Sequence, residues 1–334
     1  MSEIGAKGTG MVATVLVTAI GSMSAECVLR SLSSCKGVRL LGCDLHPADW
    51  LVTSILVQGF HQLPSARYEQ EYLDAILEIC RQESVTHVIP LTDPEVDVIS
   101  SSRKRFFDLG VTVCLPPSSC VEVCRDKLVL HDRFVDDHMV RPIPSRALAQ
   151  WKELSSGFPL LAKPRNGRSS EGVMKLENEE DVAHLLRRDQ DRRYVVQPFY
   201  LGAVHVVDVL RNASTGTASV VCRKELIRTS NGAGLSVAIH ACPVLREQAE
   251  WLADQLDLHG CICMEFLEYS GTYFLMDINP RFSAGVTFSR MAGYDMVFNT
   301  LRCFLGEEID QPVEYPDLIV ARGHYERIIS CGIV

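Results

Sequence analysis

The sequence has no Cys-x-x-Cys pair among its 13 cysteines, no surplus of basic charge, and no apolar run of the roughly 20 residues that a bilayer span needs. Each absence removes a class of function. Without paired ligand spacing, neither a structural zinc site nor a dithiol redox centre organises the chain. Cys120 and Cys124, and Cys261 and Cys263, read as small core residues, and reduced thiols fit a cytoplasmic protein. The run Val12–Ile20 reads as a first β-strand rather than a signal-peptide core, because one lysine precedes it and a helical pattern follows Gly21-Ser-Met-Ser24. With 33 Lys and Arg against 42 Asp and Glu, the net charge of −9 argues against a nucleic-acid surface but leaves room for a local phosphate pocket. The Gly-x-x-x-x-Gly-Lys-Ser/Thr loop, the Gly-x-Gly-x-x-Gly fingerprint and the Gly-x-Ser-x-Gly elbow are also missing.

What is present is an ordinary globular composition, 47% apolar and 22% charged, over 334 residues, enough for two or three domains. Strands expected at 12–20, Val38–Cys43, Val85–Leu91 and Val111–Leu115 alternate with helices at 24–34, 69–82 and 94–108. That βαβ rhythm implies a parallel sheet covered by helices. Pro116-Pro-Ser-Ser119 closes this first domain, 1–118, of which 1–11 is expected to be disordered. Residues 119–190 carry a helix over Cys120–His138, a strand over Phe158–Lys163 and a helix over Glu179–Arg188. Strands at 194–199, 204–210, 217–223 and 235–240 and a helix at 243–257 dominate 191–310, which a helix near 293–305 closes; 311–334 reads as a tail.

The chemistry concentrates in a hairpin, Cys261-Ile-Cys-Met-Glu265-Phe followed by Tyr273-Phe-Leu-Met-Asp277-Ile-Asn279-Pro-Arg281. If the turn centres near Gly271, Glu265 lies across from Asp277, and strand alternation gives Asn279 and Arg281 the same face. Two carboxylates and an amide oxygen suit a hard divalent ion, and the arginine adds a planar fork for phosphate. The competing reading is a pair of solvated surface charges. A second feature is Lys163, which ends an apolar strand just before Pro164-Arg-Asn-Gly167-Arg-Ser169-Ser170-Glu-Gly172. The lysine can reach a phosphate, the Ser169 and Ser170 hydroxyls can cradle others, and Gly167 and Gly172 allow close backbone approach. An exposed hairpin loop is the alternative. Asp93 and Glu95 follow a parallel strand, where substrate contacts and helix N-caps both occur. His205, His240 and His259 read as structural, and the tail residues Arg322 and His324 fit either a site or a surface.

Together these pieces resemble the ATP-grasp superfamily, in particular the carboxylate–amine ligases related to carbamoyl-phosphate synthetase, biotin carboxylase and D-alanine–D-alanine ligase. The segments that carry the resemblance are Ala162-Lys163 to Gly172-Val, Tyr194-Val-Val-Gln197-Pro-Phe, and Met276-Asp-Ile-Asn-Pro-Arg-Phe-Ser-Ala-Gly285, in that order. The resemblance implies an α/β and α+β fold, a Rossmann-like pre-ATP-grasp domain followed by a two-lobed ATP-grasp domain. It implies ATP and Mg²⁺ as cofactors, with Mn²⁺ as an alternative ion. Lys163 would contact the phosphates, the earlier Lys127 would be a phosphate- or nucleotide-side lysine, and the hinge with Val196, Gln197 and Phe199 would hold adenine. Glu265, Asp277 and Asn279 would be the metal ligands, and Arg281 would stabilise the transferring phosphoryl group. The chain departs from the family in having Asp277 where Glu is frequent, Gln197 where the hinge often has Glu, and Gly202-Ala-Val204 where many relatives have Gly-x-Glu to bind ribose. Asp208 is the nearest substitute for that last acid.

The expected function is an ADP-forming ligase joining a small-molecule carboxylate to an amine through an acyl-phosphate, with no nucleic-acid or membrane partner and, by resemblance, a homodimer. Bicarbonate activation is ranked below it because the chain looks short for the extra domain of such relatives. The reading from another class is a catalytically silent nucleotide-binding or regulatory protein.

Overall fold

A computed structural model describes residues 13–167, 170–189 and 191–329. The chain forms two units, one built from the described residues up to Cys114 and from Glu326 onward, the other from Leu115–Tyr325. In the first, β1 (Ala13–Val17), β2 (Val38–Asp44), β3 (Gly59–Gln62), β4 (His87–Ile89) and β5 (Thr112–Val113) form a parallel sheet in the order β3-β2-β1-β4-β5. Strand β1 is central and buried along its whole length. A parallel strand covered on both faces needs a continuous apolar run, which Ala-Thr-Val-Leu-Val supplies. The edge strand β3 was not expected, because Gly-Phe-His-Gln lacks the β-branched alternation that marks a strand.

The second unit contributes β6 (Arg141–Pro142), β7 (Arg146–Ala147), β8 (Leu160–Pro164), β9 (Met174–Leu176), β10 (Tyr194–Pro198), β11 (Ala203–Arg211), β12 (Ala218–Arg228), β13 (Gly234–Ile239), β14 (Gly260–Tyr269), β15 (Thr272–Asn279) and β16 (Leu318–Ala321). A small lobe holds β7-β10-β8-β9, with Leu160, Ala162, Leu176 and Val196 packing under Val182 and Leu185 of helix Glu179–Arg188. A large lobe holds the seven-stranded sheet β16-β13-β12-β11-β14-β15-β6. One face of that sheet, with Val207, Val209, Met264, Phe266 and Ile278, packs against Leu245, Ala249, Leu252 and Ala253 of helix Pro243–Gln255 and against Cys120, Cys124, Leu130 and Phe134. The opposite face carries the polar row discussed below.

Three expectations are corrected. The single helix over Cys120–His138 is two helices, Ser118–Arg125 and Lys127–Phe134, broken at an extended Asp126 whose side chain caps the second. The tail over 311–334 contains β16, which pairs with β13 at the sheet edge. Strand β12 runs to Arg228 rather than stopping at Arg223, because its charged residues face a polar patch instead of solvent. The expected disorder of 1–11 lies outside the described residues. Among the described residues, no helix is long and apolar enough to cross a membrane.

Candidate active site

The hairpin β14–β15 closes at Ser270-Gly271, both with positive φ (49° and 74°), the backbone of a tight two-residue turn. From Tyr269↔Thr272 back to Phe266↔Leu275 the register is regular, and then it shifts by one residue. The unpaired residue is Met276, so Glu265 lies opposite Asp277 and Cys263 opposite Asn279. A hairpin with this turn and no bulge would set Glu265 against Met276 and turn Asp277 toward the buried face of Met264. One extra residue reverses the face of every side chain beyond it. The bulge therefore builds the carboxylate pair.

Cations from other elements meet this pair. Lys127 Nζ lies 3.3 Å from Asp277 Oδ2 and donates to the Gly167 carbonyl at 3.1 Å, with its side chain only 8% exposed. Arg228 Nη2 stands 3.0 Å from Glu265 Oε2, and Asn279 Nδ2 approaches Glu265 Oε1 at 3.5 Å. Arg281 donates through Nη2 to Asn279 Oδ1 at 3.3 Å and through Nη1 to the Phe282 carbonyl at 3.1 Å. Lys163, on β8 opposite Val195, has no ion-pair partner within 4 Å among the described residues, yet feels the charges of Asp277, Lys127, Glu265 and Arg228. Lost hydration pulls its ammonium below the usual lysine value, while Asp277 works against that. Lost hydration likewise pushes the Asp277 carboxyl up, Lys127 pulls it down, and Glu265 pushes it up again. Burial is the leading cause for both groups, so each gains from a bound ion of opposite charge.

The loop after Lys163 is fastened to the helix that carries Lys127. Arg165 grips Asp126 with Nε at 3.1 Å and Nη2 at 2.6 Å from Oδ2, while Asp126 Oδ1 accepts from the backbone N–H groups of Leu128 (2.9 Å) and Val129 (3.3 Å). The Lys127 backbone N–H donates to the Arg165 carbonyl at 3.2 Å. A Cβ on Gly167 would lie 3.0 Å from Pro164 Cβ, and one on Gly172, at φ 69°, would meet Pro164 Cγ and Tyr194 Oη at 3.0 Å. Ser170 is exposed with φ 57°, and Ser169 lies outside the described residues.

Other expected residues fall elsewhere. Val196 is buried in the small-lobe core, opposite Ala162 in the β8–β10 ladder. Gln197 is 1% exposed; its Nε2 donates to Ser145 Oγ at 2.8 Å and its Oε1 has no partner among the described residues. The Phe199 backbone N–H is taken by the Pro159 carbonyl at 3.2 Å, and Lys175 Nζ sits 4.7 Å over its ring. Asp208 is no substitute for a ribose acid. It is fully buried, its Oδ2 accepting from Arg223 Nη1 at 2.7 Å and from Ser289 Oγ at 2.6 Å. Glu95 is held by Thr92 Oγ1 (2.7 Å) and Tyr72 Oη (3.2 Å) at the start of its helix, and Asp93 is buried at the same helix start. Arg322 Nη2 donates to the Ala284 carbonyl at 2.7 Å and its guanidinium lies 5.1 Å from the Phe288 ring centre. His205 bonds Glu268 at 2.9 Å and His259 accepts from the Ala213 N–H at 3.2 Å, in line with structural roles.

Sequence reasoning missed Arg228 and Arg223. The second tethers the segment after Asn279 through Ser283 Oγ at 3.0 Å, and a Cβ on Gly285 would come within 2.8 Å of its Nη2. Their signal was an Arg-Lys-Glu-Leu-Ile-Arg stretch too charged for an idle strand yet followed directly by a Thr-Ser-Asn-Gly turn.

Among the described residues, no three or more His, Cys, Asp and Glu side chains cluster as a metal centre. Glu265, Asp277 and the Asn279 amide oxygen nevertheless fit magnesium, which takes one or two protein carboxylates and completes its octahedron with phosphate oxygens and water. Lys127 on Asp277 and Arg228 on Glu265 show that both oxygens attract a cation.

Two family descriptions match the chain: "PylC-like, N-terminal domain" over residues 17–114 and "ATP-grasp in the biosynthetic pathway with Ter operon" over 190–323. The carbamoyl phosphate synthase large chain of Clostridium perfringens is 22% identical over 166 residues, 46% of this chain and only 16% of that protein's length. Among solved structures, N5-carboxyaminoimidazole synthetase from Staphylococcus aureus superposes with a TM-score of 0.73 at 13% identity, covering 92% of this chain and 80% of its own. The biotin carboxylase of Campylobacter jejuni gives 0.71 at 17% identity over 89% and 72%. An L-amino acid ligase from Bacillus licheniformis gives 0.68 at 15% identity over 88% and 74%. With a parallel α/β domain leading into two lobes that bring Lys127, Lys163, Glu265, Asp277 and Asn279 together, the chain has the fold of an ATP-grasp protein, a pre-ATP-grasp domain followed by an ATP-grasp domain, and its residues 190–323 match an ATP-grasp family description.

Proposed function

We propose that the protein is an ATP-dependent carboxylate–amine ligase that forms an amide through an acyl-phosphate and releases ADP and phosphate. The observation that carries this reading is the bulged Glu265–Asp277 pair with Asn279 beside it, faced by Lys127 and Lys163. A carboxylate is a poor electrophile because its leaving oxygen is strongly basic, so it must first be converted into a better acyl donor. In the proposed reaction a substrate carboxylate oxygen attacks the γ-phosphorus and the bond to ADP breaks. The amine nitrogen then attacks the acyl carbon, phosphate leaves, and the amine gives up a proton.

Each side chain has a task in that sequence. Lys127 and Lys163 bind phosphate oxygens, and Arg281 places its fork against the charge that builds on the transferring group. Glu265, Asp277 and Asn279 would hold magnesium, or manganese in its place, which when bound would supply a Lewis acid for the phosphoryl oxygens. The Arg165–Gly172 loop, pinned at Asp126, orients the phosphates and excludes water that would hydrolyse the activated acyl group. The segment that leaves β10 at Phe199 lines the nucleotide base, and the buried Gln197 supports it from behind through Ser145. No protein nucleophile is required. The similarity to an N5-carboxyaminoimidazole synthetase and an L-amino acid ligase supports ligation, and the free thiols of the described cysteines suit the cytoplasm. The partners are small-molecule carboxylate and amine substrates.

The test is nucleotide and phosphate release from Mg·ATP against a panel of amino acids, singly and in pairs, with products read by mass spectrometry. The expected result is ADP and phosphate release that depends on one pair and gives a product lighter than their sum by one water. Release of AMP and pyrophosphate would refute the acyl-phosphate route.

A further inference from the structure

A second group of donors lies on the other side of the large-lobe sheet. His205 precedes Val207 and Val209 on β11 by two and four residues, so it points with them to the helix-covered face, away from Glu265 and Asp277. It is 2% exposed there, and its Nε2 stands 2.9 Å from Glu268 Oε2. Its Nδ1 is buried and has no hydrogen-bond partner among the described residues. The two nitrogens of an imidazole point in nearly opposite directions. Glu268 belongs to β14, so Nδ1 is turned back toward β12 and β13.

His240 stands on that side, directly after β13, with its ring centre 5.6 Å from that of His205. Its Nδ1 meets the Ala238 carbonyl at 3.2 Å, and its Nε2 makes no hydrogen bond among the described residues. Two residues on, Cys242 is the N-cap of helix Pro243–Gln255, with no cap bond from its side chain and its thiol 3.7 Å from Tyr273 Oη. His240 and Cys242 are half-buried, which leaves an entry from solvent.

Each histidine thus commits one ring nitrogen to an oxygen, a carboxylate in one case and a carbonyl in the other, and keeps the second free. Metal-binding histidines carry that arrangement, because the outer hydrogen bond fixes the tautomer and strengthens the free nitrogen as a ligand. Two imidazoles on one tetrahedral zinc, with Zn–N of about 2.0–2.1 Å, have ring centres roughly 5 Å apart, close to the spacing here. The three donors do not converge while the Cys242 thiol is turned to Tyr273; rotation about its Cα–Cβ bond is the adjustment needed. No zinc rhythm marks the sequence because the donors come from separate strands.

We infer that His205, His240 and Cys242 form a binding site for a divalent ion of the zinc type, with water as the fourth ligand. On binding, the thiol loses its proton to solvent. The dication, the thiolate and Glu268 then sum to zero charge. Lys224, whose Nζ is 3.7 Å from Glu268 and whose side chain is 41% exposed, turns to solvent. The ion ties β11 to the segment between β13 and helix Pro243–Gln255, on the face opposite the carboxylate pair, and this assignment does not depend on the ligase reading.

The experiment is zinc titration of the whole, chelator-treated chain in excess magnesium, which occupies the carboxylate pair, with the absorption spectrum of the cobalt(II) form as a second readout. The parent should hold one zinc, and its cobalt form should show tetrahedral d–d bands and a thiolate charge-transfer band. His240→Ala and Cys242→Ser should each weaken zinc by about a hundredfold, and Glu268→Gln by about tenfold. Cys242→Ser should also abolish the charge-transfer band, while Asp277→Asn should change neither readout. Circular dichroism checks that each variant is folded. A parent that retains no zinc, zinc binding that survives both His240→Ala and Cys242→Ser, loss of zinc in Asp277→Asn, or a parent cobalt spectrum without the thiolate band would overturn the inference.

Discussion

Asp126→Ala removes two interactions of different kinds. One is the N-cap of helix Lys127–Phe134, where Oδ1 accepts from the N–H groups of Leu128 and Val129; losing such a cap costs about 1 kcal/mol. The other is the two-point grip of Arg165, in which the arginine and aspartate side chains are 33% and 17% exposed. At that partial exposure the pair contributes about 1 kcal/mol after screening. The expected loss for Asp126→Ala is therefore about 2 kcal/mol in urea unfolding. Asp126→Asn keeps an oxygen for the cap and should lose about half as much. The coupling between Asp126→Ala and Arg165→Ala should be about 1 kcal/mol in a double-mutant cycle. The pH dependence has a definite sign. Lost hydration pushes the Asp126 carboxyl up, but Arg165 and the two N–H groups outweigh it and hold it below the usual aspartate value. A depressed carboxylate contributes in full above its unfolded pKa, about 3.9, and loses that contribution as pH falls through the folded value, so the variant's deficit should vanish in strong acid. Identical losses for the alanine and asparagine variants, or strict additivity with Arg165→Ala, would refute the division of labour.

Asp277→Asn should abolish magnesium-dependent ATP turnover with little change in the circular dichroism spectrum; comparable turnover would sink the metal assignment. Deleting Met276 should remove the bulge and turn Asp277 toward the buried face of Met264. The expected outcome is loss of both turnover and stability, and an active, stable deletion variant would show that the register is not what builds the pair. Gly172→Ala places a side chain at φ 69° within 3.0 Å of Pro164 and Tyr194. It should cost about 1–2 kcal/mol and weaken nucleotide binding several-fold, measured by urea unfolding and calorimetry.

Much of the site was legible because its carriers obey short-range rules. The Ser270-Gly271 turn and the alternation of Asp277 and Asn279 follow from local sequence, and they brought Glu265 and Asp277 together as expected. The bulges were not legible. Nothing in Leu-Met-Asp marks Met276 as the extra residue, and the alternation argument reached the right pairing only because the turn position was left approximate. Arg228 escaped for the same reason, since its face depends on a register shift against β13 that no single strand encodes. Strands β3, β6 and β7 were invisible because they are short edge segments whose pairing is decided by the neighbouring chain. Val204 and Glu95 show the opposite limit. A residue type can suggest a ligand or its absence, but burial decides whether a carboxylate is available, and Glu95 is occupied by Thr92 and Tyr72.

Lys127, Lys163, Arg223, Arg228 and Arg281 stand around four carboxylates, Asp208, Glu225, Glu265 and Asp277, so this patch holds a surplus of one positive charge on a chain whose net charge is −9. A magnesium–triphosphate complex is an anion, and at long range the protein as a whole repels it. Capture then depends on a short-range funnel that must prevail over the molecule's own field. Added salt screens distant charges more than enclosed ones, and at 0.1 M the screening length is about 10 Å. Moderate ionic strength should therefore mute the repulsion before it weakens the funnel, so nucleotide on-rates would rise with salt at first and fall only later, the reverse of the usual pattern for a basic nucleotide-binding protein.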